Sequence, residues 1–292
     1  MENPESFEIE EDLRQSVEYG RYMEGIGWKT VKILNSKFEA PNKHQVQNNK
    51  FQIFLRRLGP VCIAKLQRTK GEFPMEKIEI ILKEYRVMMA KLEPEGGRLE
   101  EYKKYKYRLS GWPLLGTKTL RVNLRPAEEE IFKSFKKDAR YELRKIESRK
   151  WTIEKDYFNK FYGIWKMSAK RKNLWVPGEK EYKNLVTSFG KNVFCLTIED
   201  LAGALVLVHK KTAFYYYAGS TREGMKLDLP YLIVWEAMKE AKKRGCILWD
   251  FEGIYDGRWP NKDWQGFSHF KKSFGGKEIE FPGSFEKWRW PL

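Results

Sequence analysis

Residues 249–277, WDFEGIYDGRWPNKDWQGFSHFKKSFGGK, place two carboxylates, a series of aromatic rings and a lysine pair within one short span. From Ile247 to Ile254 apolar side chains dominate, as in a strand covered on both faces. Side chains alternate along a strand, so an extended segment puts Asp250 and Glu252 on the same side. Two carboxylates beside a buried strand need donors, a counter-charge or a site to serve. Asp256 to Asp263 is polar and holds Gly257 and Pro260, which reads as a loop. Phe267, Phe270 and Phe274 then recur at helical spacing with Lys271 and Lys272 between them, and Gly275-Gly276 stop the helix. A strand, a loop and a short basic helix therefore follow one another. Such a unit either closes a core with its lysines in solvent or presents charged groups at a site.

The rest of the chain supplies a core for that unit to close. Among 292 residues 41% are apolar and 15% aromatic, enough for one large domain or two ordinary ones. Residues 1–11 read as a frayed acidic start, followed by a helix over Asp12 to Gly25 and a strand over Trp28 to Leu34. Ser36 to Asn49 is a polar loop, and Phe51 to Arg57 with Val61 to Arg68 form a hairpin about Leu58-Gly59-Pro60. Pro74 opens a helix whose apolar positions run from Ile78 to Leu92 at a 3.6 period. Tyr102 to Leu109 reads as an edge strand. Residues 126–150 read as one long helix, with Ile131, Phe135, Ala139, Leu143 and Ile146 on one stripe. Helices over Asp156 to Arg171 and Glu179 to Phe189 follow, then a three-strand meander from Val193 to Ala218. A helix from Asp228 to Arg244 leads into the span described above, and Phe281 to Trp288 is a last strand. Helix, strand, strands, helix, strand thus occurs twice, which divides the chain at 150 and predicts an α+β fold of mixed sheets flanked by helices.

The formal net charge is +16, so the partners to expect are polyanions: nucleic acid, phosphorylated ligands or an anionic membrane face. Lys133, Lys137, Arg140 and Arg144 follow one another at spacings of 4, 3 and 4. They form either a phosphate-contacting ridge or a solvated face paired by Asp138, Glu142 and Glu147. Cys62, Cys195 and Cys246 lie in apolar runs without metal spacing, and His44, His209 and His269 are scattered. Buried thiols in a reducing cytoplasm are expected, with no metal site. No apolar run is long enough to span a bilayer, although contact with the inner membrane face stays open.

Asp250-Phe251-Glu252-Gly253-Ile254, Gly266-Phe267 and Phe270-Lys271-Lys272-Ser273-Phe274-Gly275-Gly276 resemble the C-terminal signature of the Fem family, the aminoacyltransferases that build peptidoglycan interpeptide bridges. Other stretches agree. Leu13-Arg14-Gln15-Ser16 with Tyr19-Gly20 and Gly27-Trp28 is similar to the family's N-terminal helix and first strand. KDARYELRK, Lys137 to Lys145, looks like its joining helix, and YYYAGS, Tyr215 to Ser220, like its aromatic strand. Met167 to Tyr182 is similar to the segment that supplies an arginine and a tyrosine. The resemblance implies two GNAT-like domains, taken as 1–150 and 151–292. It also implies transfer of an amino acid from aminoacyl-tRNA to an amine of a UDP- or lipid-linked wall precursor. No metal or redox cofactor and a monomeric, cytoplasmic enzyme are expected. Two features depart from the relatives. The chain has no room for the helical hairpin of some family members. Ser220 to Asp228 also lacks the glycine-rich loop with which acetyltransferases grip coenzyme A.

By match to the family, Lys271 is the cation at the developing oxyanion and Phe270 its aromatic neighbour. Arg171 is assigned to precursor phosphate, since a guanidinium fork fits phosphate oxygens. Tyr182, Tyr216 and Lys272 are candidate precursor contacts, and Lys137, Arg140 and Arg144 candidate tRNA contacts. Asp250 and Glu252 either orient a lysine or accept a proton, or form a structural ion pair. No Ser-His-Asp or Cys-His arrangement is visible, which suits direct attack of an amine on an activated ester. The alternative on the same fold is an acyl-CoA-dependent N-acyltransferase. A further class is a non-catalytic RNA- or membrane-binding module.

Overall fold

The computed structural model describes residues 7–34, 50–71, 73–97 and 99–289. The loop expected over Ser36 to Asn49 lies outside them. The chain divides into two compact units, one of Glu11–Thr117 with Glu280–Leu292, the other of Lys118–Ile279 with the first ten residues. The boundary therefore falls at 117, not at 150. Ala139, Leu143 and Ile146 are buried with Phe194, Trp235 and Phe274, so the basic helix belongs to the second core by its apolar stripe. Both units are mixed α/β sheets flanked by helices.

In the first unit the strands β1 (Lys29–Leu34), β2 (Lys50–Leu58), β3 (Val61–Gln67), β4 (Val87–Glu93), β5 (Arg108–Leu109) and β13 (Phe285–Trp288) form one sheet. Its order is β1-β2-β3-β4-β13-β5. The helix α1 (Val17–Gly25) starts at Ser16, whose hydroxyl accepts from the Tyr19 amide. The helix α2 (Met75–Glu84) buries Ile78 and Leu82 against Leu66 and Leu92. It ends earlier than its apolar period suggested. Arg86 is left-handed with φ 50°, and Val87 onward becomes β4, parallel to β3. Apolar positions three and four apart also fit a β-strand here, and the crossover rewards it by burying Val87, Ala90 and Leu92. The strand expected at Tyr102 is instead the short helix α3 (Leu99–Lys103). Tyr102 lies against Phe285 at 4.5 Å between ring centroids and donates to the Gly96 carbonyl, and Lys106 at φ 64° reverses the chain.

In the second unit β6 (Lys118–Asn123), β7 (Ile153–Lys155), β8 (Val193–Ile198), β9 (Ala202–His209), β10 (Thr212–Ser220), β11 (Leu248–Asp250) and β12 (Lys277–Glu280) form a sheet of order β12-β6-β11-β10-β9-β8-β7. Phe194, Leu196 and Ile198 of β8 share a core with α9 (Leu229–Lys243) and α5 (Lys137–Glu147). The alternate residues turn to the other face, where α6 (Phe158–Arg171) lies and Phe161 meets Gly203. Another helix, α7 (Glu179–Phe189), follows α6. The helix expected over 126–150 is two, α4 (Glu128–Ser134) and α5, broken at Phe135 and Lys136 in extended geometry. The break lets Phe135 reach Phe274 at 5.2 Å, and the Lys136 amide donate to the Ser273 carbonyl. Residues 7–9 are not frayed: Phe7 and Ile9 are buried beside Leu248.

Candidate active site

The parallel strands β10 and β11 pair only from Thr212–Leu248 to Phe214–Asp250. Beyond that point β10 continues to Ser220 with an irregularity between Tyr215 and Tyr217, while β11 stops. Two strands that part in this way leave backbone groups to be satisfied by something other than a ladder. A side chain does this. Lys271, on α10 (Trp264–Lys272), donates to the Phe251 carbonyl and to the Gly253 carbonyl, each at 2.7 Å. Its ammonium also lies 4.9 Å from the Phe267 ring centroid. Burial lowers its pKa to about 8, opposed by the charges of Glu252 and then Asp250.

The helix α10 is held from several sides. Phe274 is fully buried, Phe270 packs edge-on to Tyr231 at 4.9 Å, and the Ser268 hydroxyl accepts from the Tyr255 amide at 2.6 Å. After the helix, Gly275 and Gly276 have φ 70° and 85°. A Cβ on Gly276 would lie 2.2 Å from the Arg121 carbonyl oxygen, and one on Gly275 2.7 Å from that of Ser134. The two glycines are thus not only a helix stop. They let the chain press against β6 and α4, which fixes the direction in which α10 carries Lys271.

The two carboxylates are not carried by one extended strand. Glu252 is left-handed with φ 67°, so the strand's alternation ends before it. The Asp250 carboxylate is buried and fully occupied. It accepts from the Thr119 hydroxyl at 2.5 Å, the Arg121 guanidinium at 2.8 Å and the Glu252 amide at 2.7 Å. It is the structural ion pair of the two readings, and it sets the turn at Glu252. Thr119 and Arg121 were missed in the sequence; an arginine alternating with apolar residues from Leu120 to Leu124 was the available signal. Phe270 is partly buried and packs against the core. Lys272 pairs with Glu278 at 2.6 Å, which also holds Lys118.

Tyr216 sits at the irregularity of β10, two residues past the last position at which β10 pairs with β11. Tyr217 beside it stacks on Trp165 at 3.9 Å. Tyr182 is not brought to this group: it is buried and its hydroxyl donates to the Phe158 carbonyl. Arg171 occupies the last turn of α6 and makes no ion pair among the described residues. Lys137 and Arg144 are exposed on α5. Arg140 donates to the Lys133 carbonyl across the helix break, so the basic stripe is not continuous. The thiols of Cys62, Cys195 and Cys246 are free and buried, and burial raises all three pKa values. No cluster of three His, Cys, Asp or Glu side chains among the described residues is placed to hold a metal ion.

No curated protein matches the chain in sequence. The model of the FemAB family matches residues 197–292, the segment that carries β10, β11 and α10. Among solved structures, that of FemX is similar at 14% identity and TM-score 0.79, over 97% of this chain and 94% of that one. The C-terminal domain of a putative lysylphosphatidylglycerol synthetase from Agrobacterium fabrum is similar at 13% identity and TM-score 0.58, over 94% and 88%. A tandem GNAT protein from the clavulanic acid pathway is similar at 9% identity and TM-score 0.52, over 83% and 79%. Residues 197–292 thus resemble the FemAB family over the strand and helix that hold Lys271, and the fold around them is similar to that of FemX and GNAT-like in architecture.

Proposed function

We propose that the protein moves an aminoacyl group from aminoacyl-tRNA to an amine of a UDP- or lipid-linked wall-peptide precursor, with Lys271 carrying the proton. The observation that supports this most is the setting of Lys271: two bonds to backbone carbonyls and a pKa of about 8. A neutral lysine that gives two N–H groups to carbonyls keeps one lone pair free. The same group when protonated keeps one N–H to donate. Such a side chain serves first as base and then as acid. In the proposed step the acceptor amine attacks the ester carbonyl, and a C–N bond forms as the C–O bond to the ribose breaks. The proton lost by the amine passes to Lys271 and returns to the leaving ribose oxygen. Metal and redox cofactors have no part in this reading. Lys137, Arg140 and Arg144, with the exposed Tyr141 among them, suit tRNA phosphates and an unstacked base. Arg171 is proposed for the precursor's phosphate.

The test is incubation with charged tRNA and either UDP-linked or lipid-linked peptide, read by mass spectrometry. Aminoacylated peptide is expected with one acceptor. Lys271→Ala should lower turnover by about 100-fold or more while tRNA binding stays near wild type. Acetyl-CoA or a longer acyl-CoA supporting transfer, with charged tRNA inert, would move the protein to the acyl-CoA class. Unchanged turnover in Lys271→Ala would remove Lys271 from the chemistry.

A further inference from the structure

Between α6 and α7 the chain makes a short connection whose apolar residues face water. Trp175 is 79% exposed and Leu174 60%, and Met167, one turn before Arg171 on α6, is 55% exposed. Soluble surfaces seldom hold three large apolar side chains so close in sequence without a partner. The connection is nonetheless firmly built. The Leu174 amide donates to the Ala169 carbonyl at 2.9 Å and the Asn173 amide to that of Lys170 at 3.2 Å, with Asn173 left-handed at φ 52°. This is the helix-end motif in which the residue in the position of Leu174 ordinarily packs back on its helix. Here Leu174 is left mostly exposed. On the far side Pro177 is buried and its carbonyl accepts from the Tyr162 hydroxyl at 3.0 Å. Leu174 and Trp175 are therefore presented on a fixed tip. Lys170, Arg171 and Lys172 precede it directly in the chain, Lys166 lies one turn earlier on α6, and the three lysines are exposed.

We infer that this tip docks the protein on an anionic lipid surface, Trp175 and Leu174 entering the headgroup boundary while the neighbouring lysines meet lipid phosphates. An indole suits that boundary, where one edge is apolar and the other wet. Cations beside a lipid-facing tip add electrostatic attraction. Leu174 and Met167 are aliphatic and offer a nucleic acid base no stacking surface, so a lipid fits the patch better than RNA does. The inference deepens the proposed function, since a docked enzyme would meet a lipid-linked precursor in place. Its dependence on that reading concerns the acceptor only.

The experiment is flotation of the full chain with phosphatidylcholine vesicles containing phosphatidylglycerol, against pure phosphatidylcholine. Wild type should float with the anionic vesicles. The double variant Leu174→Ser, Trp175→Ser should lose about tenfold or more in partitioning with its thermal unfolding unchanged. Lys170→Gln and Lys172→Gln should each lose about fivefold. Absence of wild-type binding, or equal binding of the double variant, would overturn the inference. So would loss of tRNA binding in the double variant with vesicle binding intact, which would make the tip an RNA contact. With acceptors supplied, the double variant should be slowed on a vesicle-borne lipid-linked peptide and unaffected on a soluble UDP-linked one. Vesicle binding without transfer to either acceptor keeps the anchor and rejects the transferase reading.

Discussion

Lys271 is the residue at which packing and the proposed chemistry meet. Its two backbone partners fix where its ammonium sits, and burial decides how readily it gives up a proton. If it is the base of the transfer step, it works as the neutral amine. The free enzyme's kcat/KM should then rise with pH to a plateau, with an apparent pKa near 8. Lys271→Arg should remove that rise, because a guanidinium stays protonated throughout. A profile flat from pH 6 to pH 9 would argue against a titrating lysine in the step. The family motif singles out Lys271 in the sequence, but nothing there shows what surrounds it. The two carbonyls it holds come from 251 and 253, and only the fold shows that the strand parts there. Asp250 and Glu252 illustrate the opposite error. Their spacing of two implies a shared side only in an extended strand, and the left-handed Glu252 ends that strand.

At the scale of elements, the departures share a cause. Apolar residues three and four apart suit either a helix or a covered strand, so Pro74 to Leu92 read as one helix although Arg86 turns it into helix and strand. The break at Phe135 is likewise unmarked by Gly or Pro; burial against Trp235 and Phe274 favours it. Elements with short, strong turns, such as β8 to β10, were legible because their turns and apolar runs agree. The glycines around α10 separate two roles. Gly276→Ala would put a Cβ 2.2 Å from a backbone oxygen at φ 85°, and should destabilise the protein by about 1–3 kcal/mol. Gly266 lies inside α10 with open space around its Cα. Gly266→Ala should therefore stabilise by about 0.5–1 kcal/mol in urea unfolding. A gain in stability with a loss of transfer would mean that a substrate needs the bare backbone at Gly266.

For the whole molecule, charge and topology each make a prediction. Burial lowers Lys65, Lys91 and Lys271 to about 8 from 10.5. Between those values the unfolded chain binds more protons than the folded one, so stability should rise with pH across that window. Glu286 behaves conversely. Burial raises its pKa, but hydrogen bonds from Ser110 and Trp288 and the charges of Lys91 and Arg108 hold it below 4.5. Its contribution is present above 4.5 and should be lost as the medium is acidified through its folded pKa. Denaturant unfolding at a series of pH values reads both limbs. Glu286 also bears on the topology. It lies on β13, the strand that leaves the second unit's end of the chain and enters the first unit's sheet between β4 and β5. There Phe285 is buried in the first core, and Glu286 stands 3.9 Å from Lys91, itself 1% exposed. A chain ending at Glu280 would lose the pairing of β13 with β4 and β5 together with the Lys91–Glu286 ion pair. Hydrogen exchange should then show β4 and β5 unprotected while β8 to β10 keep their protection. Full protection of β4 in the truncated chain would mean that the first unit does not depend on its last strand.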